Sequence, residues 1–91
     1  MSVPEADGDP GAAVPGRLRW RCRRGTRELD LLLGGYLDAR YPHASRAERE
    51  AFERLTEWPD PEIVTALLGQ GPAVDEETAQ ILGFLRSLPR S

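Results

Sequence analysis

Ninety-one residues make one small domain, with 12 basic side chains against 15 acidic ones and a formal net charge of -3. A core of this size supplies roughly 3–5 kcal/mol of net stability and leaves little room for an enclosed catalytic cavity, so a surface that meets a partner is the simpler design. A single cysteine, Cys22, excludes an intramolecular disulfide, and one cysteine with one histidine, His43, excludes a Cys/His zinc site.

That cysteine usage suits a reducing compartment. No charged segment leads into an apolar run at the N-terminus, and nothing approaches the ~20 consecutive apolar residues of a membrane span. The expected location is cytoplasmic, with no membrane insertion.

The charge is unevenly spread. Residues 1–16 carry Glu5, Asp7 and Asp9 and no base. Residues 17–28 carry six arginines (Arg17, Arg19, Arg21, Arg23, Arg24, Arg27) and one acid, Glu28. Residues 29–91 carry six arginines and eleven acids. The pattern is a basic element on an acidic body, which marks an interaction surface unless the arginines simply pair with that body.

In chain order, residues 1–16 hold three prolines, three glycines and three acids and few large apolar groups. They are expected to form a disordered acidic tail. In residues 17–24, Leu18, Trp20 and Cys22 alternate with arginines as in a strand, yet Leu18 and Cys22 also stand four apart as on a helix. No second strand candidate follows, so a helix ending at Gly25 is expected.

Residues 26–41 read as a second helix, with Leu29, Leu32, Leu33, Tyr36 and Leu37 on one stripe. Gly34-Gly35 should mark a bend or a close helix contact, and Pro42 helps end the helix. Residues 45–58 read as a third helix, with Ser45 and Glu48 forming a capping box. Glu48, Glu53 and Glu57 are expected on a solvated face. Residues 60–70 make a fourth, with Asp60 as cap and Pro61 first inside. Residues 75–88 make a fifth, capped by Asp75 and stopped by Pro89. Residues 89–91 form a short C-terminal tail. Five short helices with short connections give an all-α compact bundle over 17–88.

Little in this chain supports catalysis or metal binding. Cys22 sits among arginines that could lower its pKa, but His43 lies in a Pro-His-Ala-Ser turn where a base is poorly held. There is no calcium loop, phosphate loop or dinucleotide fingerprint. Arg17 to Arg24 with Trp20 could grip phosphates and stack a base, but the remainder of the domain is acidic. Arg24-Gly25-Thr26-Arg27-Glu28 is a sharper candidate for docking: a glycine at a helix junction, flanked by charges. Arg24 and Glu28 stand four apart, so an ion pair within the chain competes with that reading.

At these residues the sequence resembles the SdhE family of bacterial factors that promote covalent attachment of FAD to the flavoprotein subunit of succinate dehydrogenase. The family's hallmark is Arg-Gly-x-x-Glu, here Arg24-Gly25-Thr26-Arg27-Glu28. Trp20-Arg21-Cys22-Arg23 before it and Leu29-Asp30 after it also look similar, as do Phe52 to Leu55, Asp60-Pro61-Glu62 and the Gly71-to-Asp75 break. The likeness covers about residues 17–87. Gly34-Gly35-Tyr36 departs from the proline and aromatics common there, and Trp58 stands where a cysteine is common; the acidic tail is no family feature.

The resemblance implies a five-helix, non-catalytic assembly factor with no stably held FAD, acting on the flavoprotein subunit of succinate dehydrogenase or fumarate reductase; a monomer holding no metal is expected. It implies a client-binding surface of Trp20, Arg23, Arg24, Gly25, Arg27, Glu28 and Asp30. An antitoxin-like or nucleic-acid-associated regulator and a small thiol enzyme are the competing readings.

Overall fold

The fold is taken from a computed structural model, which describes residues 14–88. Expectations for 1–13 and 89–91 fall outside that range. The elements are α1 (Gly16–Arg21), α2 (Arg27–Ala39), a 3-10 turn at Tyr41–His43, α3 (Arg46–Leu55), α4 (Asp60–Leu67) and α5 (Glu76–Ser87). The all-α, five-helix architecture expected from the sequence is therefore correct.

Helix α2 is the spine. Leu29, Leu32, Leu33, Tyr36 and Leu37 are all buried, which is the stripe that its 3.6-residue spacing defines. Arg19 on α1 pairs with Asp38 at 3.1 Å, so α1 folds back along α2 as the short arm of a hairpin. Leu18 and Cys22 are the residues α1 contributes to the core. Helix α5 packs most extensively on α3 and also meets α2 and α4. Tyr36 stacks on Phe52 with ring centroids 4.2 Å apart and planes 18° from parallel, and Tyr41 meets both rings edge-on.

The ends of the helices show where tertiary contacts outweigh local signals. Asp75 caps α5 by accepting from the Thr78 N–H at 2.9 Å, as expected. Ser45 caps α3 by accepting from the Glu48 N–H at 3.1 Å. The Glu48 carboxylate does not lie on a solvated face. It is buried, accepts from the Tyr36 hydroxyl at 2.7 Å and takes a fork from Arg40 at 2.6 and 3.1 Å. Its Arg40 hydrogen bonds, with help from Tyr36, hold its pKa below the ordinary value despite burial.

Several boundaries differ from expectation: α1 begins at Gly16, inside the expected 1–16 tail, and α3 and α4 end at Leu55 and Leu67 rather than at 58 and 70. The first helix stops at Arg21, three residues before Arg24: Cys22 and Arg23 donate their N–H groups three residues back, to the Arg19 and Trp20 carbonyls, and Arg23 to Thr26 form a loop. Helix α4 is preceded by Pro59, and Asp60 is its first residue with no side-chain cap. The glycine pair divides its work: a Cβ on Gly35 would come within 3.0 Å of the Leu88 side chain, whereas one on Gly34 would meet nothing. Helix α2 thus runs unbroken, and Gly35 is where the end of the chain's last helix approaches it closely.

Candidate functional site

The loop from Arg23 to Thr26 joins α1 to α2 and carries the motif glycine. Gly25 has φ +82, a left-handed conformation that other residues adopt only at a cost of about 1–2 kcal/mol. The residue is exposed, and a Cβ built there would have nothing within 4 Å. The backbone therefore stands open to solvent at the tip of the α1–α2 hairpin.

Two carboxylates hold this loop. Asp30, on the first turns of α2, accepts from the Arg24 N–H at 2.6 Å. Asp60, at the start of α4, accepts from the Arg24 Nε at 2.8 Å. The same guanidinium donates to the carbonyls of Arg21 at 3.0 Å, Thr56 at 2.6 Å and Trp58. Four of the five N–H donors of an arginine are thereby used inside the chain. Arg24 is consequently turned inward, its side chain 12% exposed, and it ties the motif loop to the connection between α3 and α4.

The other motif residues face outward. Arg27 and Glu28 are exposed on the first turn of α2, where the acid also complements the positive helix start. Arg23 is exposed in the loop, and Trp20 on α1 is 72% exposed, an unusual position for so large a ring. Of the seven residues singled out from the sequence, Arg24 and Asp30 build the turn, while Trp20, Arg23, Gly25, Arg27 and Glu28 form its outer surface.

Asp60 and the carbonyls of Thr56 and Trp58 were not recognisable in the sequence as part of this site. Asp60 reads as a helix cap, and a carbonyl leaves no mark on a sequence. The rival readings fare differently. Arg19 pairs with Asp38, Arg21 with Glu57 at 3.9 Å and Arg24 with Asp60, so at least three of the six arginines pair with the acidic body. Cys22 is buried, and desolvation pushes its thiol up to about 11 even though Arg24 and Arg19 pull it down. That is a packing thiol, protonated at neutral pH. Among the described residues no cluster of His, Cys, Asp and Glu is arranged to hold a metal ion. No helix among them is long and apolar enough to cross a membrane.

Comparison with known proteins bears on the same region. Residues 16–89 match the family model described as the flavinator of succinate dehydrogenase. The chain is 38% identical over 71 residues to the FAD assembly factor SdhE of Idiomarina loihiensis, spanning 78% of this chain and 79% of that one. It is 41% identical over 73 residues to the FAD assembly factor SdhE of Methylococcus capsulatus, spanning 80% and 88%. A relative of the same name in Xylella fastidiosa is also 41% identical over 73 residues, spanning 80% and 75%. With its motif turn, its five helices and a match across almost the whole domain, the chain belongs to the succinate dehydrogenase flavinator family.

Proposed function

We propose that this chain docks on the flavoprotein subunit of succinate dehydrogenase, or of the related fumarate reductase, and promotes covalent attachment of FAD to it without catalysing the reaction itself. The observation that carries this reading is the open Gly25 turn with Arg27 and Glu28 beside it, inside a match that spans residues 16–89.

Each part of the turn has a physical task. Gly25 presents bare backbone, so a partner surface can approach closely. Arg27 and Glu28 offer one charge of each sign for directional contacts, and Trp20 and Arg23 flank them. Arg24 and Asp30 fix the turn beforehand, which lowers the ordering cost of binding. FAD sits in the partner. The factor favours the partner conformation in which the flavin and its attachment residue are aligned, and it contributes only its differential affinity for that conformation.

The test is reconstitution. The purified flavoprotein subunit, FAD and this chain are combined, and covalent flavin is read by in-gel fluorescence after denaturation. The chain is expected to co-purify with the subunit and to raise covalent flavin. Glu28→Ala is expected to weaken the complex while leaving the chain folded. If a folded wild-type chain neither binds the subunit nor changes its covalent flavin, the reading is wrong.

A further inference from the structure

Beside the motif turn lies a groove that the motif does not explain. It runs between the start of α2 and the outer face of α4, with a volume of about 240 Å³. Leu29 and Leu32 form its floor, and Val64, Leu67 and Leu68 form its far wall. Its near rim is Thr26 and Glu28, two residues of the Arg24–Glu28 motif. Val64 on α4 and Leu68 at its C-cap stand one helical turn apart and are 42% and 67% exposed, while Ile63 on the same helix is fully buried. An apolar ridge left in water at that spacing marks a surface for recognition.

We propose that this groove is the apolar half of the docking surface and receives an apolar segment of the flavoprotein subunit; this rests on the docking function proposed above. Two observations choose that occupant. The groove is continuous with the motif surface through Thr26 and Glu28, so one partner covering Gly25 also covers the groove. It is also too small to act alone. Its exposed apolar side chains are Val64 and Leu68, far short of the roughly 800 Å² that each partner buries in a stable complex. A second copy of this chain held by the groove by itself lacks the contact area, whereas a partner already anchored at the motif needs only a local addition. The division matches that of ordinary interfaces, with an apolar centre that excludes water and charged residues at its edge.

The link from Arg24 to Asp60 sets the geometry of this surface. Asp60 begins α4, and its ion pair with Arg24 fixes the end of that helix nearest the motif. Gly25 and the ridge of Val64 and Leu68 are thereby held in one arrangement. A partner reads the charged turn and the apolar groove as a single rigid unit.

The test uses the full chain and the flavoprotein subunit of succinate dehydrogenase. Binding is measured by titration calorimetry for the wild type, Leu68→Glu and, as a control, Gln80→Glu on the exposed face of α5. Unfolding midpoints confirm that each variant is folded. Leu68→Glu should weaken binding by about tenfold or more, and Gln80→Glu by less than about twofold. In parallel, a benzophenone amino acid at position 68 is irradiated in the mixture. A crosslink to an apolar stretch of the flavoprotein supports the proposal. A crosslink to a second copy of this chain, or back to residues 1–13, overturns it. Equal binding by the wild type and folded Leu68→Glu overturns the groove alone and leaves the docking function standing. Absence of wild-type binding both to this subunit and to that of fumarate reductase removes the docking function, and the groove's role with it.

Discussion

The guanidinium of Arg24 lies 2.8 Å from the carboxylate of Asp60, 36 residues further along the chain. This pair joins the hallmark motif to the start of α4. Arg24→Ala should therefore be destabilising, by about 2 kcal/mol, because it leaves the carbonyls of Thr56 and Trp58 and one carboxylate without their charged donor. Arg24→Lys should recover only part of that, since an ammonium cannot span acceptors spread across a planar fork. Asp60→Asn should cost less, about 1 kcal/mol or below, because the Asp60 side chain is a third exposed and water screens the pair. Guanidinium unfolding of the three variants checks the order. An Arg24→Ala chain with the wild-type midpoint rules out the lock.

Gly25 separates backbone strain from docking. Its φ of +82 means that any side chain is strained there, while the space around its Cβ is empty. Gly25→Ala and Gly25→Arg should each lose about 1–2 kcal/mol of stability, for the same backbone reason. Their effects on covalent flavin should then diverge: the arginine projects into the surface a partner must approach, whereas the methyl group barely extends it. Equal flavin yields from two folded variants refute the docking assignment of this turn, whatever their stabilities.

These two residues also show what was legible in the sequence. The motif glycine and the apolar stripes could be read directly, because φ preference and helical period are local properties. Leu29 through Leu37 and the cap at Asp75 lie where the spacing puts them. Arg24 looked like a surface charge because its acceptors come from residues 56, 58 and 60. Glu48 looked solvated because its partners, Tyr36 and Arg40, lie on the preceding helix and its end. The sequence extends the first helix past Arg21 because Leu18 and Cys22 fit a helical stripe, and nothing local shows that the backbone turns away just after Arg21. What the sequence hid in each case is a pairing between segments. In particular, it showed which charges surround the turn but not which of them are already committed to the fold.

The Glu48 network makes a pH prediction. Arg40 hydrogen bonding, then Tyr36, hold the folded-state pKa of Glu48 below its ordinary 4.5. A carboxylate depressed on folding stabilises the protein above its unfolded pKa, and that contribution is lost as pH falls through the folded value. Stability should therefore be level from neutrality to about pH 5 and decline below 4.5. Glu48→Gln keeps the shape but removes the charge opposite Arg40. It should cost about 1–3 kcal/mol at neutral pH and flatten the acid limb of the curve. Thermal unfolding across that range is the measurement, and a Glu48→Gln chain with an unchanged acid limb assigns the titration to another group.

Cys22 is next to the motif yet sealed from it. Desolvation raises its pKa from 9.0 to about 11, overriding the nearby Arg24 and Arg19, and the residue is 3% exposed. A shift of that size lowers the thiolate population at neutral pH by about a hundredfold. Alkylation by iodoacetamide in native buffer should accordingly be slower than that of a free thiol by at least about that factor, and should reach the ordinary rate once denaturant unfolds the chain. Because the raised pKa belongs to the folded state, the thiol's contribution to stability is intact below pH 9.0 and lost as pH rises toward 11. Cys22→Ala should cost about 1 kcal/mol through the small cavity it leaves, and should support flavin attachment as well as the wild type does. Loss of flavin attachment in a stably folded Cys22→Ala chain is the one result that returns a thiol to the chemistry, and it requires the side chain to leave the core in which Leu18 and Leu29 also lie.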